Sequence, residues 1–192
     1  MTTQRLAAVL IVGGSIVFLV GAAIGVPRVF TERDPDTRLR LLQDGLTRWQ
    51  VAQPLYALGP ILVAVGVGVL AAAAHGSGAR AALMTSAIAL LAGALPWAWL
   101  AIERGRRVTE FVAGALPAWP FTTYVLLTIG GLGTLAAGLF LTDFPSWVAW
   151  LTAGADTLFL VAFLRFGDIP PFVFYLLLPV IGVVGWRSAG PS

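Results

Sequence analysis

"RLAAVLIVGGSIVFLVGAAIGV", residues 5–26, decides the fold. After Arg5 it runs 21 residues without a charge. A helix needs roughly 20 apolar residues to cross a bilayer core. A secretory leader is the alternative, but its apolar core is usually about 7–15 residues. The stretch therefore reads as an uncleaved span, closed by Pro27 and Arg28.

Working outward, five further apolar runs have the length of a span. They cover about 49–74, 79–102, 118–142, 145–164 and 170–187. "HGSG", residues 75–78, is so short that the second and third spans must form an antiparallel hairpin. "DFPSWVAW" (143–150) and "DIPPFVFY" (168–175) look like helix starts, with Asp143 and Asp168 as expected caps and proline where no amide donor is needed. Composition agrees: 58% of the 192 residues are hydrophobic, 11% are charged and the mean hydropathy is +0.89. A soluble domain is about 25% charged. The expected fold is all-α, a polytopic transmembrane bundle of six helices forming one domain over 1–192.

Cysteine is absent, which excludes disulfides, thiolate chemistry and Cys-based metal sites. His75 is the one histidine, in a loop, and reads as a solvated residue; no metal site, cofactor or catalytic group is expected. All 12 basic residues are Arg, and Lys and Asn are missing. That pattern fits GC-rich codons and a bacterial source. The pI near 10.2 points to membrane lipids as partners rather than nucleic acid.

Arginine placement orients the spans, because arginine accumulates on the cytoplasmic side. Arg28, Arg33, Arg38, Arg40 and Arg48 lie in the first connector, Arg104, Arg106 and Arg107 in the third, and Arg165 in the fifth. Only Arg5, Arg80 and Arg187 fall on the other side. The expectation is a bacterial inner-membrane protein with both termini outside.

The first connector contains "TERDPDTRLRLLQDGLTRWQ", residues 31–50, with 8 of the chain's 21 charged residues. Asp34-Pro35 is a helix start. Leu39, Leu42, Leu46 and Trp49 then form one apolar stripe. Asp36–Arg40, Arg40–Asp44 and Asp44–Arg48 are four apart and suited to pairing. The spacing predicts an amphipathic interfacial helix over about 35–48, its stripe on lipid or on the tops of the spans. It is either a solvated connector or a lid.

Small residues at helical spacing, Gly21 and Gly25, then Gly130, Thr134 and Gly138, suit close helix packing in lipid. Trp97, Trp99, Trp119, Trp147, Trp150 and Trp186 lie near predicted span ends and read as interface anchors. No residue-level repeat supports inverted symmetry.

Asp156 is the most informative polar residue. It lies about 16 Å into the fifth span at 1.5 Å per residue, near mid-bilayer. A charge there costs about 2.5–3.5 kcal/mol on insertion scales. Asp156 is therefore either an interhelical tie or a ligand or proton site, with Thr152 on its face. Tyr124 and Tyr175 are able to approach it from other spans. Gln50, Gln53 and Pro54 share one face at the start of the second span and, with Tyr56, suit a cavity mouth. Glu103–Arg107 and Arg106–Glu110 are spaced for surface pairs; Arg104, Arg106 and Arg107 are alternatively lipid-headgroup contacts.

Three stretches, "GGSIVFLVGAAIGVPRVFTERDPDTRL", "FPSWVAWL" and "PPFVFYLLLPVIGVVGWR", together resemble a broad family of uncharacterised bacterial multi-span membrane proteins, a domain of unknown function common in actinobacteria. The resemblance implies a fold and a source, and no activity or site residues. Two functions fit the residues. One is binding of a small apolar or lipid-like ligand in an intramembrane cavity, with a carrier as one form of it. The other is an accessory subunit packed against a larger membrane complex. An intramembrane enzyme is a third, weaker reading, because no acid–base pair or nucleophile accompanies Asp156.

Overall fold

The computed structural model describes residues 2–188. Among these, eight α-helices and two short 3-10 turns follow one another without a strand. Six helices are long and apolar enough to cross a membrane: α1 (Thr3–Ile24), α3 (Leu46–Ala73), α4 (Ser77–Arg106), α6 (Trp119–Phe140), α7 (Ser146–Phe166) and α8 (Phe174–Ser188, extended to Pro171 by a 3-10 turn). The six runs expected from the sequence are these six helices. Between them sit α2 (Pro35–Asp44) and α5 (Val108–Val112), at the same end of the bundle.

Spatial neighbours run α8, α1, α3, α4, α6, α7, with α7 and α8 touching lightly to complete the circuit. The closest pairing is α1 on α3, and glycine makes it possible. A Cβ at Gly14 would lie 2.7 Å from the Gly59 carbonyl oxygen, and one at Gly59 would lie 2.7 Å from Phe18 Cβ. Gly66 meets Ile11, and Gly21 meets Leu55 and Ala52, in the same way. Lipid gives helices no hydrophobic reason to associate, so such approach of backbones supplies the dispersion contacts that hold them. The expected role of Gly21 is realised. On α6 the contact glycines are Gly131 and Gly138, against Leu90 and Leu83 of α4, whereas a Cβ at Gly130 would meet nothing within 4 Å. Thr134 bonds back to the Gly130 and Gly131 carbonyls of its own helix. The two contact glycines are seven apart, so the row of four-residue spacings picked out only Gly138 correctly.

Helix termini differ from expectation. Asp34 caps α2, accepting from the Thr37 amide at 2.9 Å and its hydroxyl at 2.5 Å. Asp143 and Asp168 cap nothing: Pro145 and Pro170 hold those cap positions without a side-chain bond. Gly45 ends α2 at Asp44, four residues early, so Arg48 belongs to α3. The three ion pairs expected along 36–48 are absent among the described residues, and Arg40 instead bonds the Thr37 hydroxyl at 3.1 Å. The break after Arg106 likewise gives Glu110 to Arg107 in place of Arg106, while Glu103–Arg107 forms at 3.6 Å.

The α1–α3 seam makes a sharp prediction. Gly14→Ala should destabilise the protein by about 1–3 kcal/mol through forced separation of two backbones. Gly13→Ala, with nothing within 4 Å, should be neutral or gain up to about 1 kcal/mol of helix propensity. Thermal unfolding of both variants in one detergent checks the difference; equal midpoints would refute the seam.

Candidate functional site

Two apolar clusters organise the molecule. The larger fills the bundle; the smaller lies at the α2 end and buries Val26, Val29, Leu42, Trp49 and Val112. Leu39 and Phe111 pack against it, while Asp36 and Arg40 stay exposed. Part of the expected stripe of 39–49 thus turns onto the tops of the spans. Leu46 departs from it and is exposed, because the chain turns at Gly45.

Within the larger cluster lies an aromatic stack. Phe18 lies 4.0 Å, centroid to centroid, on Tyr175 and edge-on to Tyr56 at 5.1 Å. Trp97 stacks on Tyr124 at 4.8 Å, and the Tyr124 and Tyr175 hydroxyls bond each other at 2.8 Å. Tyr56, Tyr124 and Tyr175 are therefore brought together, as ligand residues would be. All three are buried; Tyr124 and Tyr175 bond each other, while the Tyr56 ring packs on Phe18 and Trp97. Trp97 is no interface anchor. Pro60 has no amide to give the Tyr56 carbonyl four residues earlier, and the Trp97 indole donates to that carbonyl at 2.9 Å. Trp99, Trp119, Trp147, Trp150 and Trp186 are exposed along the sides of the helices.

Gln50 and Gln53 part company. Gln50 is exposed, while Gln53 is buried, packs on Gly105 and donates to the Trp49 carbonyl at 3.2 Å. The smaller core takes their expected place as a mouth, because Trp49 turns fully inward and donates to the Arg104 carbonyl at 3.0 Å.

Asp156 stands apart from the tyrosines. It faces α6 at Gly133, where a Cβ would lie 3.0 Å from its Oδ2. Gly133 is nine residues beyond Tyr124, about 13 Å along α6. Thr152 does not reach it, since its hydroxyl donates to the Val148 carbonyl at 2.8 Å. Asp156 Oδ1 is buried with no hydrogen-bond partner. The helix carrying it is the least enclosed span: only Val148, Ala149 and Thr152 of α7 are buried.

The three candidate headgroup arginines separate in kind. Arg106 is exposed, Arg107 is tied to Glu103 and Glu110, and Arg104 turns inward between Trp97 and Phe111. On the outer side, α1 and α8 leave an apolar trough of about 400 Å³, lined by Ala8, Val12, Ile16 and Val183 and bounded by Trp186 and Arg187. His75 is exposed at the opposite end from α2, in a cleft shared with Gln4 and Asp143.

Sequence reasoning missed Phe111 and the inward turn of Trp97, whereas Trp49 belongs to the expected apolar stripe and is buried. Pro60 followed by an indole on the next span was the signal for Trp97.

Two outcomes are expected. Trp97→Phe orphans the Tyr56 carbonyl and should cost about 1–3 kcal/mol. Adding Pro60→Ala restores an amide, so the double variant should lose less than Trp97→Phe alone in thermal unfolding. For α2, the Thr37 bonds lower the pKa of the exposed Asp34 carboxyl below 3.8. A depressed carboxyl protects the folded form above its unfolded value, and that protection is lost as pH falls through the lower folded value. Exchange protection of the Thr37 amide should persist at pH 4 and vanish in stronger acid; Asp34→Ala should remove it throughout.

Comparison of the chain with family models, with curated proteins and with solved structures gives no match.

Proposed function

We propose that this chain is a multi-pass protein of a bacterial inner membrane that binds a small apolar, lipid-like molecule, with Asp156 as the polar anchor. One observation carries the reading. Asp156 Oδ1 is buried, and no donor among the described residues reaches it. An unmet acceptor at that depth is costly, and Thr152, its nearest helical companion, is committed elsewhere. A molecule with an apolar body and one hydroxyl, amide or amine donor meets both demands. The small Gly133 surface opposite gives the carboxylate room, and the open outer face of α7 lets such a molecule enter sideways from lipid.

In this reading the arginine-rich end, with α2 lying along the surface as an amphipathic helix, faces the cytoplasm, and both termini face outward. Loading and release from the bilayer make a carrier the natural extension. A second reading draws on the same α7: a span this little enclosed also suits a partner subunit supplying the missing donor.

The test uses the purified full chain. Mass spectrometry of organic extracts should find a co-purifying amphiphile in the wild type and at least tenfold less in Asp156→Leu. That variant should fold with an equal or higher thermal midpoint, because it removes an unmet polar group. Equal retention by a folded Asp156→Leu sinks the ligand reading. A larger protein co-purifying with the wild type and lost from Asp156→Leu supports the subunit reading instead.

A further inference from the structure

Phe111, on the short helix α5, carries two cations. The Arg38 guanidinium carbon, from α2, lies 5.3 Å from its ring centroid, and the Arg104 guanidinium carbon, from α4, lies 5.3 Å from the same centroid. Trp49 stacks on that ring at 5.2 Å, and Trp97 holds Arg104 from below at 5.1 Å. Both Arg38 and Arg104 have a buried Nε without a hydrogen-bond partner. Neither forms an ion pair among the described residues; the two that exist both belong to Arg107. Asp168 acts on Arg104 electrostatically but lies beyond pairing distance.

This arrangement has no structural economy. Two like charges are gathered on one aromatic ring, a cation–π contact is worth only about 0.5–2 kcal/mol, and a carboxylate collar stands close by in Glu103 and Glu110, tied to Arg107 instead. Both guanidinium carbons lie 5.3 Å from one ring centroid, which holds them less than 10.6 Å apart, twice 5.3 Å, wherever they approach the ring from the same side. One tetrahedral oxyanion accepting from both forks through charge-assisted bonds of about 2.7–2.9 Å requires that same-side approach. The height is also right. Arg104 sits in the last turn of α4, where a span leaves the hydrocarbon for the headgroup layer.

We propose that Arg38 and Arg104 clamp a phosphate group between the helix α2 and the end of α4, with Phe111 and Trp49 as its apolar floor. Guanidinium suits this role because its planar fork binds phosphate oxygens in pairs and it stacks on aromatic rings. The phosphate belongs to an anionic lipid headgroup or is free in solution; the chemistry at the two arginines is the same. Arg40, one turn from Asp36 and bonded to Thr37, takes no part and serves as the control. The site is separate from Asp156, which calls for a donor and lies on the other side of α6.

The full chain in a neutral detergent is titrated with phosphatidylglycerol and with phosphatidylcholine and followed by native mass spectrometry, and in parallel with inorganic phosphate by calorimetry. The wild type should retain one phosphatidylglycerol in preference to phosphatidylcholine, or bind one inorganic phosphate; the first result assigns a lipid headgroup and the second a free anion. Arg38→Gln and Arg104→Gln should each weaken whichever binds by about tenfold or more, the effect of losing one charge-assisted bond of about 1.5–3 kcal/mol. Arg40→Gln should change it less than twofold. Should Arg104→Gln fail to fold, Arg38→Gln, on a short surface helix, decides alone. Absence of both binding events, or an equal loss in Arg38→Gln and Arg40→Gln, overturns the clamp.

Discussion

Hydrocarbon offers no hydrogen-bond partners, so each polar group within the spans must find one inside the protein. The Tyr56 carbonyl is the point at which this constraint shapes the bundle. Pro60 strips α3 of the amide that would serve it, and only another helix is able to replace the donor. Trp97 does so from α4, and its ring then stacks on Tyr124 of α6. Tyr124 in turn must satisfy its hydroxyl and does so on Tyr175 of α8, which stacks on Phe18 of α1. One missing amide is thus the first link of a chain that touches five spans. Ser86, donating at 2.7 Å to the Gly131 carbonyl, repeats the logic between α4 and α6.

Polar closure fixes orientation, and glycine fixes distance. Gly14, Gly59 and Gly66 let α1 and α3 approach until backbone meets backbone, and α8 and α4 then pack on either side of that pair. The number and limits of the spans were legible in the sequence because hydrophobic length is a strong, local signal: every expected run lies within a few residues of a helix. Which glycines make contact was not legible. That depends on the rotation of each helix, and a span apolar on all sides carries no periodicity to report it. Gly130 and Gly138 look alike in sequence, yet only Gly138 faces α4.

The polar sites were read less well, for a related reason. Tyr56, Tyr124 and Tyr175 do converge, but around Phe18 and Trp97 rather than around Asp156. Sequence distance gives depth along one helix and says little about which helices are neighbours. Around 31–50, residue spacing overvalued ion pairs. Surface pairs at i, i+4 are worth only about 0.2–0.5 kcal/mol, too little to carry α2 past Gly45. The aromatic floor under α2 was invisible because Trp49 and Phe111 come from separate connectors that only the folded chain brings together.

Against so complete an internal accounting, the groups left unmatched gain meaning. Among the described residues, Asp156 Oδ1 lacks a donor, and Arg38 Nε and Arg104 Nε lack an acceptor. They do not cancel one another: α6 stands between α4 and α7 in the circuit of helices, and the arginines lie at the α2 end while Asp156 lies well inside α7. Their demands are also of opposite sign. A single zwitterionic amphiphile would have to pass through the packed α4–α6 contact, where Gly93 of α4 lies against Tyr124 and Leu127 of α6, to satisfy both. Two separate occupants need no such opening. In the two proposals, one would enter sideways along α7 and the other would sit beneath α2.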